Sequence, residues 1–295
     1  MADAASAPWT IGRLLAWTAD YLKGRGADSP RLDAEVLLAH VLRCQRIELY
    51  TRFEEQPNDS QRAAYRELVK QRAEGMPVAY LVGRREFFSL PFRVTTDVLI
   101  PRPETEFLVI RLLDLIRQQP PRDEPWRIAD VGTGSGIIAI CAAKQLPNCG
   151  VMATDISAAA LEVARSNAAE HGVSARIAFL QGDLLASVAK DAKFDFIASN
   201  PPYVKSSEMA GLAADVRRFE PREALEAGPQ GTEVIERLIP QAAERLQPGG
   251  SLLLEISPMI DEAVRELLTA DGRWQLMPTV KDLAGLPRVA EARKR

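Results

Sequence analysis

Asn200-Pro201-Pro202-Tyr203 is the segment of this sequence with the most chemical content. It follows a short apolar run, Phe194–Ser199, and two consecutive prolines stop a strand there and hold the backbone extended. An sp2 nitrogen bearing two hydrogens is a poor nucleophile, because its lone pair is delocalised. The Asn200 side-chain oxygen and the Pro201 carbonyl can each accept one of those N–H groups. Together they draw the nitrogen towards tetrahedral geometry and free its lone pair for in-line attack on an electrophilic carbon. Tyr203 can stack on the planar group and exclude water. Such alignment contributes several kcal/mol to barrier reduction, with roughly 7–11 kcal/mol as the ideal intramolecular limit. A general base is not required, since the proton becomes acidic only after the nitrogen is alkylated. The plainer alternative is a rigid loop with an asparagine turn.

Three further clusters indicate what carries the electrophile. Gly132-Thr133-Gly134-Ser135-Gly136 follows the apolar run Arg127–Val131 and leads into a helical stretch. Glycines at that point let the backbone turn tightly and approach a ligand closely. Their spacing departs from the G-x-G-x-x-G of dinucleotide sites. Asp155 stands 19 positions after Gly136, at the end of the run Val151–Thr154. A carboxylate there can accept from both ribose hydroxyls of a nucleoside, and the same residue can cap a helix beginning near Ser157. After the run Ile177–Leu180 come Gln181-Gly182-Asp183-Leu184. Asp183 is placed to accept from an adenine amino group, with Leu184 against the ring, and it fits a helix cap equally well. A nucleoside site without a pyrophosphate cradle or a P-loop lysine argues against ATP. S-adenosyl-L-methionine fits, with S-adenosyl-L-homocysteine as its product.

The elements that must position these residues are legible in the periodicity. From residue 127, apolar runs of strand length alternate with helical stretches: Ile137–Gln145, Ala158–His171, a shorter one near Leu184–Ala189, Glu233–Leu246 and one near Asp261–Leu268. Further strands are expected at Ser251–Ile256, Trp274–Val280 and Arg288–Ala292. The expected fold is α/β, a doubly wound seven-stranded Rossmann-like sheet of the class I methyltransferase kind. Upstream, Ile11, Leu14, Leu15, Thr18, Tyr21 and Leu22 fall at helical spacing, as do Ala34, Leu37, Leu38, Val41 and Leu42. Asp28-Ser29-Pro30 offers a cap and a first-turn proline for the second helix. Asp59-Ser60 opens a third with Tyr65, Leu68 and Val69, ended by Gly75 and Pro77. Residues 84–100 read as a hairpin around a Leu90-Pro91 turn. Pro101 and Pro103 then flank a helix start, where Glu104 and Glu106 suit the helix dipole. The expected domains are a helical bundle over 1–83, a hairpin linker over 84–100 and the cofactor domain over 101–295.

The chain has 295 residues, 46% hydrophobic and 26% charged, enough for a sizeable core without metal or disulfide staples. Cys44, Cys141 and Cys149 form no C-x-x-C pair and read as small buried hydrophobes. His40 and His171 are too isolated for a metal site, so none is expected. The start, MADAASAPWT, lacks the basic and apolar stretches of a secretory signal, and no run approaches the roughly 18 apolar residues of a membrane span. A cytoplasmic monomer with no membrane partner is expected. Residues 1–98 carry 14 basic and 13 acidic side chains and the remainder 23 and 27, so neither part has the positive balance of a phosphate-gripping surface. No nucleic-acid partner is expected.

These residues resemble the protein glutamine N5-methyltransferases of the HemK/PrmC family, which modify peptide-chain release factors. The resemblance spans nearly the whole chain, through IPRPETE at 100–106, DVGTGSG at 130–136, TDIS at 154–157, SNPPY at 199–203, RFEP at 218–221 and LLLEI at 252–256. It implies that the acceptor is the glutamine of the GGQ motif in class 1 release factors, and that the bundle and hairpin help dock that protein. It implies also that residues 132–136, Asp155, Asp183, Leu184 and Asn200 line the cofactor pocket, while residues 200–203 hold the glutamine amide. Some relatives carry an aromatic residue where this chain has Leu184. Ser257-Pro258 stands where a glycine is expected. Arg217, Arg218 and Glu220 lie beyond the NPPY loop, where they shape a substrate mouth or form a solvated charged loop. NPPY is shared with adenine and cytosine methyltransferases of DNA, so a nucleic-acid amino group remains the enzymatic rival, and a ribosomal-protein glutamine the nearer one.

Overall fold

The computed structural model describes residues 8–295; the first seven residues of the stretch read for a targeting signal lie outside them. In chain order the helices are α1 (Ile11–Lys23), α2 (Pro30–Leu42), α3 (Glu48–Thr51), α4 (Asp59–Ala73), α5 (Val78–Val82), α6 (Thr105–Arg117), α7 (Ile137–Gln145), α8 (Ala158–Glu170), α9 (Ala214–Phe219), α10 (Glu233–Arg245) and α11 (Asp261–Asp271). The strands are β1 (Arg84–Phe87), β2 (Leu90–Arg93), β3 (Trp126–Val131), β4 (Cys149–Asp155), β5 (Ile177–Gln181), β6 (Phe194–Ser199), β7 (Val204–Lys205), β8 (Glu226–Gly228), β9 (Leu246–Glu255), β10 (Trp274–Leu276), β11 (Val280–Lys281) and β12 (Pro287–Lys294). The chain divides into two compact units, residues up to 83 with Ala214–Phe219, and Arg84–Ala213 with Glu220–Arg295.

The first unit is helical. Ile11, Leu15 and Leu22 of α1, Leu37 and Leu38 of α2, and Tyr65 and Val69 of α4 share one buried cluster, the positions that helical spacing picks out. Pro30 opens α2 as expected, but the Ser29 side chain makes no capping bond. At α4 the cap is Asn58, whose side chain accepts from Gln61 N while Gln61 reaches back to Asn58 N, a reciprocal capping box. Helices α3 and α5 were not expected; at four and five residues they are too short to show a period.

The second unit holds the sheet, in the order β10-β12-β9-β6-β3-β4-β5 with β11 paired to β12. The five strands from β9 to β5 run parallel, and β12 returns antiparallel to β9. The chain builds outward from β3 through β4 to β5, then crosses back to place β6 on the other side of β3. That reversal opens a crevice beyond the carboxyl ends of β3 and β6, where open α/β sheets bind ligands. One face packs against α6 and α7, through residues such as Leu108, Leu112, Ile138 and Ile140, and the other against α10 and α11 through Ile235, Leu238, Val264 and Leu268. Residues 137 to 143 of α7 are all buried, so that helix is locked in place behind the glycine-rich turn.

Three expectations need correction. The hairpin turn is Phe88-Ser89, at φ 53° and 58°, while Leu90 and Pro91 already lie in β2. Two positive-φ residues make the turn that matches strand twist, and the Phe88 N–H is satisfied at 3.0 Å by Glu106 Oε1. Residues 184–189 form successive turns instead of a helix, because Leu184 sits at φ 54°, which no right-handed helix accommodates. The strand expected at Trp274–Val280 is split into β10 and β11, with Pro278 in the gap. At the other departure, Ser257 is extended at φ −81°, so the position does not require glycine. Cys141 and Cys149 are buried and Cys44 is half-buried, all three as free thiols. No helix among the described residues is long and apolar enough to cross a membrane.

Candidate active site

A cavity of about 460 Å³ lies at the crevice beyond β3 and β6, in the second unit. Of the residues singled out in sequence, Gly132, Thr133, Gly134, Ser135, Asp155, Asp183, Leu184, Asn200 and Pro202 line it. Gly136, Pro201 and Tyr203 are not among the lining residues.

The turn after β3 is shaped by its own strand. Asp130, fully buried in β3, accepts from Thr133 Oγ1 at 2.7 Å and from the Ala139 N–H at 3.0 Å, tying the loop to the first turn of α7. Burial pushes its carboxyl up to about 7, against those two hydrogen bonds, and Oδ1 has no partner. Gly132 and Gly134 adopt φ 71° and 54°, and a Cβ on either would meet no protein atom within 4 Å. The space before them is the cavity itself, so these two glycines leave a cradle open. Gly136 differs: a Cβ there would stand 3.0 Å from Ile140 Cδ1 and 3.2 Å from Ala164 Cβ, so this glycine lets α8 approach α7.

Asp155 ends β4, where its Oδ2 accepts from Gly134 N at 2.8 Å and its Oδ1 from Ser157 N at 2.9 Å. Each oxygen keeps lone-pair capacity for a further donor. Burial raises this carboxyl from its ordinary range, opposed by the backbone donors. The cap of α8 is Ser157, not Asp155. Asp183 pairs with Arg237 of α10, which also lines the cavity. Leu184 holds its left-handed backbone at a cost of about 1–2 kcal/mol and packs against the sheet face beneath α10. The charged lining residues are Asp97, Asp155, Asp183, Glu223 and Glu226 against Arg102 and Arg237. This excess of acid suits a ligand with a cationic centre and opposes a polyphosphate.

Asn200 follows β6 directly, and its Nδ2 donates to Thr105 Oγ1 of α6 at 3.3 Å. That leaves Oδ1 as the free acceptor of the side chain. Tyr203 packs at the α10 face of the sheet, and burial pushes its hydroxyl up to about 12. Beyond the loop, Glu220 is buried and accepts from Ile100 N at 3.2 Å and from Arg102 at 2.5 Å, so it braces the cavity wall rather than standing in solvent. Arg218 donates to the Glu74 carbonyl in the helical unit. Thr105, Asp130, Arg237 and Glu255 were missed in sequence; a charged residue inside LLLEI and another next to last in the apolar run of β3 were the available signals. Among the described residues no group of three or more His, Cys, Asp or Glu side chains is placed to hold a metal ion.

Comparisons with known proteins identify the family. Residues 13–83 match the PrmC N-terminal domain, and residues 111–219 match the methyltransferase small domain. The release factor glutamine methyltransferase of Rhodopirellula baltica is 49% identical, over 97% of this chain and 97% of its own length. That of Koribacter versatilis is 41% identical, over 93% and 95%. The catalytic domain of hMettl16, solved with the MAT2A 3′UTR hairpin 6, shares the fold at TM-score 0.55 and 21% identity, covering 77% of this chain and 82% of that one. With both parts of the chain matched and the similarity running nearly end to end, the chain belongs to the release factor glutamine methyltransferase family.

Proposed function

We propose that this protein transfers the methyl group of S-adenosyl-L-methionine to the side-chain N5 of the glutamine in the GGQ motif of class 1 release factors. The observation that carries this is the placement of Asn200 beside the glycine cradle, with its amide nitrogen committed to Thr105 and its oxygen free. The cofactor supplies an activated methyl on a sulfonium. The open backbone at Gly132 and Gly134 admits it, Asp155 accepts from its ribose, and Asp183 and Leu184 serve the adenine. For Asp183 this means exchanging or sharing its ion pair with Arg237.

On the acceptor side, Asn200 Oδ1 and the Pro201 carbonyl take the two N–H groups of the glutamine amide. Such acceptors make that nitrogen pyramidal, and the localised lone pair faces the cavity. Pro202 holds the loop extended, and Tyr203 covers the amide. The helical domain over 1–83 and the hairpin over 84–100 dock the release factor, which makes it a protein substrate rather than a free amino acid. The acidic cavity and near-neutral surface favour a protein amide over a nucleobase.

The test is incubation with methyl-labelled cofactor and, separately, a class 1 release factor, ribosomal protein and DNA, followed by tandem mass spectrometry. One added methyl on the GGQ glutamine is expected. Label confined to DNA or to the ribosomal protein overturns the assignment.

A further inference from the structure

Asn200 can serve an N–H donor only if its carboxamide faces the right way round, and a side-chain amide has two orientations of nearly equal shape. Three elements meet where this is decided. Strands β6 and β9 are parallel neighbours with Ser199 opposite Leu254, so the next residues, Asn200 and Glu255, stand side by side at the carboxyl ends of these central strands. Helix α6 packs against both strands and begins at Thr105. Thr105 is fully buried and Glu255 is 1% exposed.

We infer that Glu255 and Thr105 are positioning residues that orient the Asn200 carboxamide, with Oδ1 presented to the substrate amide. This rests on the function proposed above. A hydroxyl has one hydrogen. The Thr105 hydroxyl accepts from Asn200 Nδ2 at 3.3 Å, and its approach to the neighbouring Glu255 carboxyl favours the carboxylate form there. A carboxylate only accepts, so Thr105 gives its hydrogen to Glu255 and shows lone pairs alone to Asn200. Only the NH2 edge of Asn200 satisfies them. Turned over, Oδ1 would meet the Thr105 oxygen without a proton between them.

A second observation supports a role beyond packing. Glu255 Oε2 is buried without a hydrogen-bond partner, an unfavourable arrangement that an apolar residue after Leu252, Leu253 and Leu254 would avoid. Burial pushes its carboxyl up to about 7, opposed by Thr105, Arg288 and Arg102 and reinforced by Glu104. At pH 8 it is a carboxylate.

The test uses the full chain at pH 8 with a class 1 release factor, and compares Thr105→Val, Thr105→Ser and Glu255→Gln. Valine keeps the shape and removes the hydroxyl; serine keeps the hydroxyl. Thr105→Val is expected to lower kcat roughly 10- to 100-fold, as small misplacements of a catalytic group do, with the KM for the release factor and the melting temperature little changed. Thr105→Ser should restore kcat to within about threefold of the parent. Glu255→Gln should fall with Thr105→Val, because its amide can donate to Thr105 and reverse the hydroxyl. Equal kcat in the parent, Thr105→Val and Glu255→Gln would overturn the inference, as would equal losses in the valine and serine variants. If the parent chain does not methylate the release factor at all, the function proposed above fails instead.

Discussion

Asp155→Asn changes one atom's chemistry with almost no change in volume, and the structure fixes what that must cost. Both carboxylate oxygens are already engaged, Oδ2 by Gly134 N at 2.8 Å and Oδ1 by Ser157 N at 2.9 Å. Asparagine has one accepting edge, so its NH2 must face one of those two N–H groups. Leaving that partly buried donor unpaired costs about 1–3 kcal/mol of stability. On the ligand side the same edge no longer accepts from a ribose hydroxyl, which removes one hydrogen bond to a charged group, roughly 1.5–3 kcal/mol, and weakens the other. A net loss of about 2–4 kcal/mol in binding corresponds to a Kd increase of roughly 30- to 700-fold. Isothermal titration with S-adenosylhomocysteine measures it directly, and thermal melting of the free protein reads the stability cost separately. Because Asp155 touches no reacting atom, kcat at saturating cofactor should stay within about threefold of the parent. A Kd within threefold of the parent, with the variant folded, would refute the assignment of the ribose to this carboxylate.

Asn200→Ala removes the acceptor itself, and kcat should fall by about 10²–10³, the range for deleting a preorganised polar contact, while titration with S-adenosylhomocysteine shows binding retained within about tenfold. The glycines should separate into two kinds: Gly136→Ala, at φ 85° with Cβ contacts of 3.0 to 3.4 Å, should lower stability by about 2–4 kcal/mol in denaturant melts. Gly134→Ala, at φ 54° with open space before it, should lose only about 1–2 kcal/mol of stability but raise the cofactor Kd at least about tenfold. Asp130 and Glu255 keep a proton to about pH 7 in the folded chain, against ordinary values of 3.8 and 4.5, so the unfolded state binds fewer protons between these limits and stability falls as pH rises through that window. Asp130→Asn should therefore gain stability relative to the parent on going from pH 5.5 to 7.5, on the order of 1–3 kcal/mol, and a pH-independent difference in melting would contradict the folded-state protonation.

The sheet was legible because its buried strands contain short apolar runs, most of them set off by helical stretches, and residue 127 marks where that alternation starts. The misreadings share a physical cause. Leu184 and the Phe88-Ser89 turn adopt positive φ with residues that give no local hint of it; tertiary packing imposes the conformation, and propensity does not record it. Helices of four and five residues carry less than two turns, so no periodic signal exists to be read. Asp183 reads in sequence as a helix cap or an adenine acceptor, and nothing local shows that Arg237, 54 residues later, pairs with it in the fold. Only the meeting of a loop and a distant helix could reveal that pair.

The two halves of the site differ in how they can be found. On the function proposed above, the cradle for the nucleoside is made by backbone: positive-φ glycines, N–H groups of Gly134 and Ser157, and one carboxylate to gather them. Such a unit is contiguous with its strand ends and leaves a pattern of residue types in sequence. The acceptor half depends on the orientation of one side chain, and an orientation is set by neighbours from other elements. Asn200 was visible as a residue, but its direction is written in Thr105, 95 positions earlier, and in Glu255, which sequence shows only as a lone charge inside LLLEI. A buried acid at the end of a central parallel strand, lacking a full set of partners, is therefore a better pointer to the reacting half of such a site than the glycine loop, which serves many cofactors alike.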